Sequence, residues 1–88
     1  MAARGKHFQP RVGPEKAFGQ AFRAFRENKR ISQERVSFEA GCDRTTISLI
    51  ERGLVSPKLE TIARMCAAIN VLPSVVMRQM ERSPLYRV

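Results

Sequence analysis

The residues with the most specific chemistry lie between Gln33 and Arg52. Arg44, Ser48 and Arg52 recur every four residues, and Thr45 and Leu49 fill the neighbouring row, so a helix would present all five on one side. Ile47 and Ile50, three apart, would face inward. Short polar side chains led by an arginine suit the edges of base pairs in a major groove. There an arginine can bond a guanine through two parallel hydrogen bonds, worth ~1–3 kcal/mol of discrimination. Leu49 offers an apolar contact to a thymine methyl group. A cation in the first turn of a helix opposes the helix dipole, so Arg44 at that place implies an anionic partner.

Other chemistries lack residues. Glu34 and Glu39 are five apart on one short helix and read as solvated charges rather than a catalytic pair. His7 stands apart from any other metal-ligating residue. Cys42 and Cys66 are too few for a disulfide framework or a metal site and read as reduced, buried thiols. There is no glycine-rich phosphate loop and no nucleophile beside a base. The expectation is therefore no enzyme, no metal and no cofactor.

The elements that would carry the exposed row are legible from periodicity and caps. Phe18, Ala21, Phe22 and Phe25 fall on one helical face, predicting a first helix over about 15–29 with Pro14 near its first turn. Ser32 predicts the cap of a second helix, 33–40, which Gly41 ends. Asp43 predicts the cap of a third, 44–52, closed by Gly53. Ser56 and Pro57 read as the start of a fourth, 57–69, with an apolar face of Leu59, Ile62, Ala63, Cys66 and Ile69 and with Asn70 as its left-handed terminus. Pro73 opens a fifth, 73–82. The second and third helices, joined by a three-residue turn, have helix-turn-helix spacing. The layout expected is a flexible basic arm over 1–14, an all-α five-helix domain over 15–82 and a tail over 83–88.

The run from Ile31 to Val71 resembles the Cro and phage-repressor class of helix-turn-helix domains, also called the xenobiotic-response-element class. The resemblance rests on Ser32-Gln33-Glu34, Val36, Gly41, Ile47-Ser48, Glu51, Gly53, Pro57 and the Leu59–Ile69 helix, in that order and spacing. It spans residues 17–80, and DRTTISLIERG is similar to the controller proteins of restriction–modification systems. It implies a lambda-repressor-like fold and a sequence-specific regulator of transcription that binds double-stranded DNA. Arg44, Thr45 and Ser48 match base-reading positions, to which Leu49 is added. Gln33, Thr46 and Arg52 match backbone-contact positions, and Lys58 is placed with them. Arg26 and Glu51 match a structural ion pair between the first and third helices. Ser37, Arg35 and the aromatic first helix depart from the usual pattern, in places that bear on packing.

Length and charge agree with that reading. Eighty-eight residues make one domain with one modest core. Sixteen basic against eight acidic side chains give +8, the balance of a chain that meets a polyanion. The excess is terminal: residues 1–30 hold eight basic and two acidic side chains, whereas residues 31–60 hold four and five. No apolar run approaches the roughly 18 residues that cross a bilayer, and the start has no apolar signal core, so a cytoplasmic, nucleoid-associated protein is expected.

One recognition helix buries too little surface for tight specific binding, so a homodimer reading two half-sites about 34 Å apart is expected. Val75, Val76, Met77 and Met80, with Leu85 and Tyr86 beyond, supply the apolar surface assigned to that interface. The reading from a different class is an antitoxin-like module that binds a partner protein and whose DNA binding is autoregulatory.

Overall fold

A computed structural model describes residues 12–88. They form α1 (Pro14–Asn28), α2 (Gln33–Ala40), α3 (Arg44–Glu51), α4 (Leu59–Ala68) and α5 (Pro73–Arg82), with no strand among the described residues. The all-α, five-helix expectation holds. The expected basic arm and His7 fall outside the described residues, except that Val12 and Gly13 lead into α1.

Four of the helices stop in the same way. After α2, Gly41 takes φ 74°, its N–H donates to Phe38 O, and the Cys42 N–H donates to Ser37 O. This pair of bonds satisfies carbonyls that a helix end leaves orphaned, and it needs a left-handed residue. The same pair follows α3 at Gly53 and α4 at Asn70, as the sequence predicts. It also follows α1 at Arg30, φ 59°, a residue type that does not announce a left-handed turn. At the other ends, Ser32 Oγ accepts the Arg35 N–H at 3.0 Å and starts α2. Asp43 precedes α3 in extended conformation without a side-chain cap bond.

The helices enclose one core. Phe18 and Phe22 of α1 stack with ring centroids 6.1 Å apart. Around them lie Val36 of α2, Ile47 and Ile50 of α3, Met65, Cys66 and Ile69 from α4 and its end, and Val76 of α5, all buried. Helix α1 packs on α5 and α3, and α2 packs on α3 and α4. Gly19 makes the α1–α3 contact possible: a Cβ there would overlap the carbonyl oxygens of Ile50 and Glu51.

Two expectations about packing are corrected. Helix α4 begins at Leu59 rather than Pro57, capped by the backbone of Lys58, so Ser56 and Pro57 belong to the preceding loop. Leu59 is 79% exposed, and Ala63 also faces solvent. Met65 and Ala68 complete the buried face instead. Val76, assigned to a partner interface, is fully buried in the core cluster. Periodicity marks α5 as amphipathic without saying which covering, intramolecular or not, takes each row.

Candidate nucleic-acid interface

Helix α3 separates its residues sharply. Ile47, Ile50 and Glu51 are buried, whereas Arg44, Thr45 and Arg52 are exposed and Thr46, Ser48 and Leu49 are half-buried. The core anchors one side of the helix along its length, so the opposite row is held in a fixed orientation. Arg52 extends back along that row, its Nε 3.4 Å from the Ser48 carbonyl oxygen.

Behind α3 the helices are locked by a buried ion pair. Arg26 Nε donates to Glu51 Oε2 at 2.6 Å, and Nη2 donates to Glu51 Oε1 at 2.9 Å. The third arm of the guanidinium, Nη1, donates to the Ile31 carbonyl oxygen at 2.7 Å, so it also pins the α1–α2 turn. Only 8% of Arg26 and 3% of Glu51 is exposed. Bidentate geometry and extra acceptors are what a buried pair needs to offset its desolvation.

Gln33 joins this network. Its Nε2 donates to Glu51 Oε1 at 2.9 Å, which fixes the start of α2 relative to α3. The side chain that the resemblance assigns to a phosphate is thus engaged on the protein. The N–H groups of Gln33 and Glu34 open α2 and have no acceptor among the described residues. They border an open notch of about 600 Å³ lined by Arg23, Arg26, Ser32, Gln33, Glu34 and Arg44. A helix start facing two exposed arginines is an anion-binding arrangement.

Sequence reasoning missed Arg23. It stands one turn before Arg26 on α1, and that spacing was the available signal. Its Nε donates to Glu27 at 2.9 Å, and this hydrogen bond holds the exposed Glu27 carboxyl below the usual carboxylate range. The structure thus gathers Arg23, Gln33 and Arg44 at the notch and aligns Arg44, Thr45, Ser48 and Arg52 along α3. Lys58 stands apart, exposed in the loop after α3. Cys42 sits half-buried at the corner of the α2–α3 turn and Cys66 is buried in the core, where desolvation pushes its thiol up to about 11. No group of His, Cys, Asp and Glu among the described residues is arranged to hold a metal ion, and no single described helix is long and apolar enough to cross a membrane.

This geometry, two helices in a tight turn with one exposed polar row, defines a class. The profile of a helix-turn-helix domain family matches residues 17–79. The chain belongs to that family, in its xenobiotic-response-element form, and is a DNA-binding regulator of transcription rather than an enzyme. It is similar to control protein C.BamHI of Bacillus amyloliquefaciens, 42% identical over 57 residues that make up 64% of this chain and 70% of that protein. It is also similar to the restriction-modification controller protein C.AhdI of Aeromonas hydrophila, whose crystal structure matches with a TM-score of 0.65 at 32% identity over 74% of this chain and 92% of that one. The clp gene regulator ClgR of Corynebacterium glutamicum gives a TM-score of 0.79 over 83% of this chain and 78% of that one. At 23% identity, that last likeness is one of fold.

Proposed function

We propose that the chain is a sequence-specific regulator of the controller type, which binds an inverted-repeat operator as a homodimer and acts where the cell keeps its DNA. The observation that carries this reading is the row Arg44, Thr45, Ser48 and Arg52, turned outward by a helix whose other side is locked in the core. Arg44 and Thr45 read base edges at the N-terminal end of α3, with Ser48 and Leu49 further along the groove. Phosphates on one flank enter the notch, where the opening N–H groups of α2 and Arg23 meet them. Thr46, Arg52 and Lys58 take phosphates elsewhere along the site.

We place the proposed dimer surface differently from the sequence expectation. Met77 and Met80 are half-buried and line a small apolar groove with Phe18, Pro57 and Ile62. Leu85 and Tyr86 are also half-buried. Apolar surface is exposed at the α4–α5 junction, where Leu72 is 69% and Val75 42% exposed and Ala63, Ala67 and Leu72 border a cleft of about 270 Å³. A second copy would cover that surface by twofold symmetry.

The test is Arg44→Ala, assayed on an operator selected from random DNA and on an unrelated duplex. Base reading predicts a loss of about 1–3 kcal/mol on the operator and a much smaller change on the unrelated duplex. An equal loss on both would reduce Arg44 to a phosphate contact and refute specific reading by this residue.

A further inference from the structure

Asp43 immediately precedes Arg44 at the N-terminal end of α3, the end that a major groove receives. An aspartate at this position ordinarily accepts from a backbone N–H two or three residues on. Its backbone has the extended conformation that such a cap needs, φ −81° and ψ 159°, yet the carboxylate bonds none of those N–H groups. Ser32, in nearly the same conformation at the start of α2, does make the bond. Asp43 is exposed, and no ion pair among the described residues takes up its charge. Between two rows of phosphates such a carboxylate weakens binding to any duplex, unless a specific hydrogen bond offsets the repulsion.

We infer that Asp43 is a further specificity-determining residue, whose carboxylate accepts from the N4 amino group of a cytosine in the base pair beside the one Arg44 reads. This rests on the base-reading role of α3 proposed above. Cytosine presents one polar group in the major groove, that amino donor, and a carboxylate is the acceptor that matches it. Adenine also presents an amino donor there, but its N7 acceptor lies alongside and repels a carboxylate. The rest of the outward row cannot make this choice. Arg44 and Arg52 only donate, Leu49 forms no hydrogen bond, and the hydroxyls of Thr45 and Ser48 both donate and accept. The spacing also fits. Consecutive Cα atoms are about 3.8 Å apart and successive base pairs about 3.4 Å, so neighbouring residues at the tip of the helix meet neighbouring pairs.

The experiment selects bound duplexes from a random pool with the full chain and with its Asp43→Asn, Asp43→Ala and Arg44→Ala variants, and records the melting temperature of each. The full chain should enrich a cytosine beside the guanine that Arg44→Ala no longer selects. Asp43→Asn should exchange that cytosine for adenine, because an amide both accepts and donates and so matches N7 and N6 together. Asp43→Ala should leave the position without preference, a loss of about fivefold or more in discrimination. On an unrelated duplex Asp43→Ala should bind more tightly than the parent, because a negative charge has left the groove. A role confined to starting α3 predicts a different pattern, a lower melting temperature with the same enriched sequence, and that result overturns the inference. An operator that loses its guanine in Arg44→Ala but is unchanged in Asp43→Asn overturns this inference alone. Failure of the full chain to enrich any sequence overturns the reading beneath it, and this inference with it.

Discussion

Replacing Glu51 by alanine tests the mechanical premise of the account, that the recognition helix is held by a buried charge network. Glu51 accepts three hydrogen bonds, two from Arg26 and one from Gln33, between 2.6 and 2.9 Å. Its removal leaves Arg26, only 8% exposed, with no buried counter-ion and only the exposed Glu27 carboxylate 3.9 Å away. Breaking one side of such a pair costs about 3–5 kcal/mol. Domains of this size have about 5–15 kcal/mol in total, so Glu51→Ala should lose a large share of its stability. In urea the midpoint should fall with the slope unchanged, and the melting temperature should drop by at least about 12 °C. Removing both charges, with Arg26→Met and Glu51→Leu, should recover most of the loss, because no buried charge then lacks a partner. A cost below about 1 kcal/mol for Glu51→Ala is the behaviour of an exposed bridge, and it would refute the argument.

Further outcomes follow from the packing. Gly19→Ala should destabilise by more than the usual 1–3 kcal/mol of core overpacking, since its methyl meets backbone carbonyls that cannot rotate away; a thermal melt near the parent value would contradict the α1–α3 contact. Val76→Ala should leave a core cavity and lower the urea midpoint, whereas Val75→Glu with Leu72→Glu should leave the fold intact and shift sedimentation from dimer to monomer. The reverse pattern would return the interface to the other side of α5. With its thiol near 11, Cys66 is about one part in a thousand thiolate at pH 8, so an aromatic disulfide reagent should titrate Cys42 alone in the native protein and both thiols in denaturant. Rapid modification of both in the native state would place Cys66 outside the core.

Much of this architecture is written in single residues. Ser32 announces the start of α2, and Gly41, Gly53 and Asn70 announce helix ends, because each supplies a bond or a backbone conformation that few other residue types supply. Arg30 adopts the same left-handed conformation unannounced, since there the fold imposes it on a residue that gains nothing from it. The outward row of α3 was legible because Ile47 and Ile50 fix the helix's rotation. The role of Gln33 toward Glu51 was not, because two residues eighteen apart meet only once α1, α2 and α3 have packed. Val76 was misassigned because an apolar row on a terminal helix looks alike whether its cover is the same chain or another.

The central claim is that α3 reads bases. The direct measurement is selection of bound fragments from a random duplex pool by the full chain at ~150 mM salt, where plain phosphate attraction is screened. The account predicts enrichment of an inverted repeat with half-sites about one helical turn apart, and loss of a guanine preference in each half when Arg44 is alanine. Binding without enrichment, fading steeply as salt rises, would contradict it.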